Sequence, residues 1–303
     1  MLVCNHRACC FLLSICGIAG VSTAQVVHHL DLVSTDQPRE AVFQLRTHDA
    51  ATVLWPEHEI GWLFVRGAGR QLNRHEVPAV QPNGVQAVVP LPIQVEPGGL
   101  SKVGLDLDPR IEVVSRDALQ EFVVSRALHV HPEQIDELPE QIRLLRIESL
   151  SALVREPADA QIQPSPVATQ KAGQIVEIRP IFDPTVFGSG SDLLVRTYVA
   201  GDALKSEPVM IVPPVDAAFA GAGVRVFSSC TLPTDDKGIA TLTLDRPGRW
   251  TLELAHLVIA PAAEYDAVLY TGSLTFDAPG VPVHGQAQPR LPNSGQDTTG
   301  GRP

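Results

Sequence analysis

Between residues 175 and 277 the chain reads as seven short runs of alternating polarity, at 175–180, 193–199, 209–212, 224–227, 240–244, 250–257 and 267–276. A period of two sends successive side chains to opposite faces of an extended chain. Runs this short, closed by Gly, Pro and Asp, bury their apolar face by packing one sheet on another. The pattern predicts a C-terminal seven-stranded antiparallel β-sandwich, immunoglobulin-like or transthyretin-like. Turn chemistry agrees. Asp235-Asp236-Lys237-Gly238 and Asp245-Arg246-Pro247-Gly248 each combine a side chain that bonds its own backbone with a Gly that takes positive φ. Across the second turn, 241–244 and 251–254 are expected to form a hairpin with Leu242, Leu244, Leu252 and Leu254 inward and Thr251 and Glu253 outward. Cys230, after the apolar run ending at Phe227, is expected to face the core.

Upstream the pattern differs. Extended runs at 29–33, 40–45, 60–65, 85–89 and around Leu105 are bounded by turn residues. From Asp117 the apolar positions Leu119, Phe122, Val123 and Ala127 recur at helical spacing, with Asp117 and Gln120 as a capping pair, and predict a helix over 117–128. A second helix is expected from Pro139 through Ile142 and Leu145 to about Glu148. The expected class is mainly β, with an α+β N-terminal part. Residues 156–174, rich in Pro, Ala and Gln, read as a linker. The stretch 278–303 holds too few large apolar residues to order itself and reads as a disordered tail. The expected division is therefore a signal at 1–24, a β-rich domain with two helices at 25–155, the linker, and the sandwich at 175–277.

Residues 1–24 carry Arg7, an apolar run over 8–21 and a small-residue end, Ser22-Thr23-Ala24. That is the layout of a secretory signal cleaved after Ala24. The apolar run is too short for a span of about 20 residues, so no membrane span is expected in the mature chain. Lipidation of Cys16 is the alternative, and Ile15 stands against it. A periplasmic or secreted location follows. Of five cysteines, only Cys230 lies beyond residue 24, so no intrachain disulfide is expected. With 23 basic and 34 acidic residues the formal net charge is −11, a poor match for nucleic acid or anionic lipid.

No nucleophile elbow, Walker loop, dinucleotide fingerprint, H-E-x-x-H or C-x-x-C beyond residue 24 is present, and a non-enzymatic protein is expected. Histidine carries the remaining chemistry. His28 and His29 would lie near the new α-amino group, and imidazole with amine and backbone nitrogens suits Cu(II) or Ni(II). Incidental placement at an exposed strand start is the alternative. His129 and His131 would share a face if extended, although they also follow a helix whose C-terminus favours positive residues. His256 shares the inward parity of Leu252 and Leu254, where a buried imidazole needs a hydrogen-bond partner or a metal.

The segment 174–276, with Val176-Glu177-Ile178-Arg179-Pro180, Asp183-Pro184, Thr234-Asp235-Asp236-Lys237-Gly238, Leu244-Asp245-Arg246-Pro247-Gly248-Arg249-Trp250, His256 and Ser273-Leu274-Thr275-Phe276, resembles a bacterial exported family of unknown function. Its members are known as nickel-uptake-related, periplasmic substrate-specific proteins. Weaker likeness extends through 111–123 and 143–153. The resemblance implies a signal peptide, a sandwich-like C-terminal domain, a histidine opening the mature chain at His28 or His29, and another on the penultimate strand at His256. A metal-binding or metal-delivery protein follows, with His28, His29 and His256 as candidate ligands to Ni(II), Cu(II) or Co(II). A metal-uptake membrane complex is the expected partner. A structural or adhesive sandwich module that binds no metal is the competing reading.

Overall fold

The computed structural model describes residues 28–34, 41–47, 60–67, 70–73, 89–91, 99–155, 162–214 and 229–280, with side chains at 61–67 and in the last three segments. The expected signal, the run at 224–227 and nearly all of the expected tail lie outside the described residues.

The chain is mainly β. In chain order come β1 (His28–Ser34), β2 (Ala41–Thr47), β3 (Ile60–Gly67), β4 (Arg70–Asn73), β5 (Val89–Leu91), β6 (Leu100–Leu107) and β7 (Arg110–Ser115). Helices α1 (Arg116–Ser125) and α2 (Pro132–Asp136) precede the long β8 (Gln141–Arg155). After a 3-10 turn at Pro166–Thr169 follow β9 (Val176–Pro180), a second 3-10 turn at Pro184–Val186, β10 (Ser191–Val199), β11 (Asp202–Ala203) and β12 (Pro208–Val212). The last strands are β13 (Cys230–Pro233), β14 (Ile239–Leu244), β15 (Gly248–Ile259) and β16 (Ala267–Ala278).

A nine-stranded mixed sheet runs β13-β12-β15-β16-β8-β6-β3-β4, with β7 also paired to β8. β9, β10, β11 and β14 form a smaller sheet around β10, and β1, β2 and β5 form a third. Parity along β15 explains how one strand serves two cores. Trp250, Leu252 and Leu254 face the smaller sheet and join Val176, Ile178, Leu193, Val195, Leu242, Leu244, Leu274 and Phe276. Ala255 and Leu257 point to the other face and pack with Leu119, Phe122 and Val123 of α1 and with Ile142, Leu144 and Leu269. On that second face Leu150, Ala152, Thr271, Ser273 and Thr275 are also buried, and β1 packs across the same two strands.

The expected run positions match strands wherever they are described, but the expected pairing and the outward placement of Thr251 and Glu253 do not. β14 and β15 form no hairpin. β14 pairs with β10 and β15 with β12 and β16, so the chain crosses between sheets at Asp245–Gly248. The four leucines still meet in one core, because facing sheets and a hairpin demand the same inward parity. Thr251 and Glu253 are not outward: both are buried on the second face.

The helix expected at 139–148 is instead the start of β8. Ile142 and Leu144 face the helix-side core while Leu145 and Ile147 lie on the opposite face, so β8 carries apolar residues on both faces and shows no clean period. The preceding helix stands where expected, but Ser115 caps it, its Oγ accepting from Ala118 N at 3.2 Å. Gln120 donates to Asp136 Oδ1 at 2.7 Å and ties α1 to α2. Cys230 is exposed on β13, an edge strand of the sheet, rather than facing the core. β8, before the expected linker, pairs in parallel with β16, after it, so the segments to either side of 156–174 share one sheet. Val167 and Ala168, within that span, are buried in the core that holds Leu252 and Leu254. Among the described residues no helix is long and apolar enough to cross a membrane.

Candidate functional site around His256

His256 sits two residues past Leu254 on the inward face of β15 and lies opposite Tyr270 of β16. The imidazole is 24% exposed. Its ring tilts against Tyr270 with centroids 6.2 Å apart. Nδ1 lies 3.0 Å from Oε1 of Glu207, whose side chain is 13% exposed.

Glu207 is itself fixed. Its backbone N–H donates to Thr234 Oγ1 at 2.9 Å, its carbonyl accepts from Thr234 N at 2.9 Å, and the Thr234 hydroxyl donates to Leu204 O at 3.0 Å. Thr234 is buried at the end of β13, and the turn that follows holds it there. Asp235 Oδ1 accepts from Lys237 N and Ile239 N, each at 2.8 Å, while Gly238 takes φ +73 with Leu204 O only 2.7 Å from where a β-carbon would stand. A carboxylate held this way fixes the imidazole: with Nδ1–H donated to Glu207, the second nitrogen keeps its lone pair.

His28 and His29 lie at the start of β1, opposite Thr47 and Arg46 of β2, and their side chains are outside the described residues. His129 and His131 are exposed, and His131 is the N-cap of α2, its backbone N–H reaching Gln134 Oε1 at 3.3 Å. Among the described residues no three His, Cys, Asp or Glu side chains stand together as a metal-binding set.

Sequence reading missed the buried charges. Lys102 Nζ donates to Gln170 O and to Glu177 Oε1, each at 3.0 Å, and Glu177 Oε1 also accepts from Ala172 N at 2.8 Å. Burial pulls the Lys102 ammonium below its ordinary value despite Glu177. Nearby, Gln174 Nε2 bridges Leu105 O, Leu150 O and Asp106 Oδ1. Burial pushes the Asp106 carboxyl up to about 6, against hydrogen bonds from Ser149 and Gln174. These contacts bolt residues 170–177 across the central sheet. Arg155 and Asp183 do the same for the second 3-10 turn, where Asp183 Oδ1 caps Thr185 N at 3.0 Å. A sequence signal exists only in hindsight: Lys102 and Glu148 sit inside apolar strand runs where a solvated charge has no place.

No protein-family model matches the chain, and no curated protein matches it either.

Proposed function

We propose that this chain is an exported, non-enzymatic metal-binding or metal-delivery protein in which His256 is a ligand for Ni(II), Cu(II) or Co(II) and Glu207 sets its orientation. The observation that carries this reading is the 3.0 Å contact between His256 Nδ1 and Glu207 Oε1 on a ring that solvent still reaches. Metal-binding imidazoles characteristically give their other N–H to a carboxylate, which fixes the tautomer and raises ligand basicity. His28 and His29, close behind a cleavage after Ala24, supply further imidazoles. The family resemblance of 174–276 supports the same reading and adds a periplasmic or secreted location and a metal-uptake membrane complex as recipient. An immunoglobulin-like or transthyretin-like seven-strand class for the C-terminal part belongs to this reading as well.

Calorimetric titration of the mature protein with Ni(II), Cu(II) and Co(II) tests it. Micromolar binding that weakens in His256→Ala and in the double variant His28→Ala with His29→Ala is the expected result. Millimolar affinity, or affinity unchanged by these variants, overturns it.

One observation favours the competing reading, an adhesive module. Among the described residues β7 pairs with β8 alone, and its Ile111 and Val113 are 46% and 62% exposed. An open edge strand with apolar side chains is a template for pairing with another chain. Self-association abolished by Val113→Lys, together with no heat from metal, would favour that reading.

A further inference from the structure

Arg179 and Arg196 are direct register partners on β9 and β10. Val176, Ile178, Val195 and Val199 fill the core, so by alternation both arginines stand on the outer face of the smaller sheet, half-buried. Like charges directly opposite on a sheet repel and destabilise the pair. Neither forms an ion pair with a carboxylate among the described residues. Arg179 donates to the Tyr198 hydroxyl and lies over the Tyr198 ring, 4.5 Å from its centroid. The Arg196 side chain makes no hydrogen bond or ion pair among the described residues, and its Nε is buried.

The surroundings add positive charge. Lys171 Nζ lies over the Gly201 turn that ends β10, 3.7 Å from where a β-carbon on Gly201 would be. The Arg66 guanidinium is anchored on Lys171 O and Ala172 O. The carboxylate at this place is Glu177, opposite Tyr198, and it is taken up by Lys102 and the Ala172 amide. A chain of net charge −11 thus gathers several cations around one unmatched arginine pair.

We propose that Arg179, Arg196 and the Tyr198 hydroxyl form a binding site for a tetrahedral oxyanion, a phosphate or sulfate group. Two guanidinium forks present N–H donors to such a group and a phenol adds a further one. The bound anion cancels the repulsion between the arginines, so it stabilises the fold as it binds. This site shares no residue with His256 and Glu207, and the two proposals fail separately.

Thermal unfolding of the full protein in sodium phosphate or sodium sulfate, against sodium chloride at matched ionic strength, is the test. Phosphate is expected to raise the midpoint by several degrees over chloride. Arg196→Gln and Arg179→Gln are each expected to abolish that difference while unfolding at or above the wild-type midpoint in chloride. Arg249→Gln, at a surface arginine paired with Asp277, is expected to keep it. Flotation with phosphatidylglycerol vesicles, against phosphatidylcholine, separates the sources. Arginine-dependent flotation assigns the group to a lipid headgroup, and phosphate stabilisation without flotation assigns it to a soluble oxyanion. Equal midpoints in phosphate, sulfate and chloride for the wild type, or a phosphate effect that survives both arginine substitutions, overturn the proposal.

Discussion

Arg126, the residue that closes α1, donates to the carboxylate of Glu253 in the middle of β15, and both side chains are buried. The same guanidinium lies 3.1 Å from Met210 Sδ and stacks 5.7 Å from the Phe122 ring centroid. Helix and sheet are thus joined by charge as well as by Leu119, Phe122 and Val123.

Removing the guanidinium takes the Arg126 ion pair from a buried carboxylate. Arg126→Met is expected to cost about 3–5 kcal/mol, and adding Glu253→Leu is expected to restore much of the loss. Guanidinium denaturation of the single and double variants measures both. A single-variant cost below about 1 kcal/mol would show that the pair does not hold α1 down.

Asp106 makes a pH-dependent contribution whose sign is opposite to that of an ordinary ion-paired carboxylate. Its folded value, about 6, lies above the unfolded one of 3.8, so between these values the folded chain holds a proton the unfolded chain has lost. Stability therefore falls as pH rises through that window. Asp106→Asn keeps an acceptor for Gln174 and removes the charge. The variant is expected to match the wild type near pH 4 and to gain roughly 2–3 kcal/mol on it by pH 7. Urea denaturation across pH 4 to 7 checks this, and a difference that does not change with pH would contradict it.

Glu207→Ala separates orientation from ligation. If Glu207 sets the His256 ring, its loss weakens metal binding by about 10–100-fold without removing a ligand. Calorimetry gives the affinity, and unchanged affinity would assign the pair to folding alone.

A close approach inside the central sheet gives the last test. A β-carbon on Gly104 would lie 2.4 Å from the Phe64 ring and 3.0 Å from Leu150 O. Gly104→Ala is expected to cost about 1–3 kcal/mol, with partial recovery on adding Phe64→Leu. Equal chemical stability of Gly104→Ala and wild type would refute the contact.

Much of the C-terminal architecture was legible because β10 and β14 bury one face each, and the leucines of β15 keep the same period although its other face is covered as well. Leu242, Leu244, Leu252 and Leu254 announce their parity, and parity survives any choice of partner. Pairing itself was not legible. A hairpin and a crossing between facing sheets place these leucines alike, and only long-range contacts such as Gly190 N to Leu244 O, at 2.7 Å, tell them apart. β8 was misread for a different reason: a strand covered on both faces has no polar phase to reveal its period. At the candidate site, the inward parity of His256 was readable and its partner was not, since Glu207 lies 49 positions away in sequence. The arginine pair was equally hidden, because register rather than spacing puts Arg179 beside Arg196.

The parallel pairing of β8 with β16 orders events in time. Leu144 to Leu153 find their partners only at Ala267 to Phe276, more than a hundred residues later in the chain. A ribosome or a pore delivers the N-terminal end first, so β8 waits with an unfilled edge until almost the whole polypeptide has emerged. Closing so long a loop makes for a high contact order and slow folding. A chain stopped short of β16 would carry that open edge permanently, and edge pairing between copies is then the competing reaction.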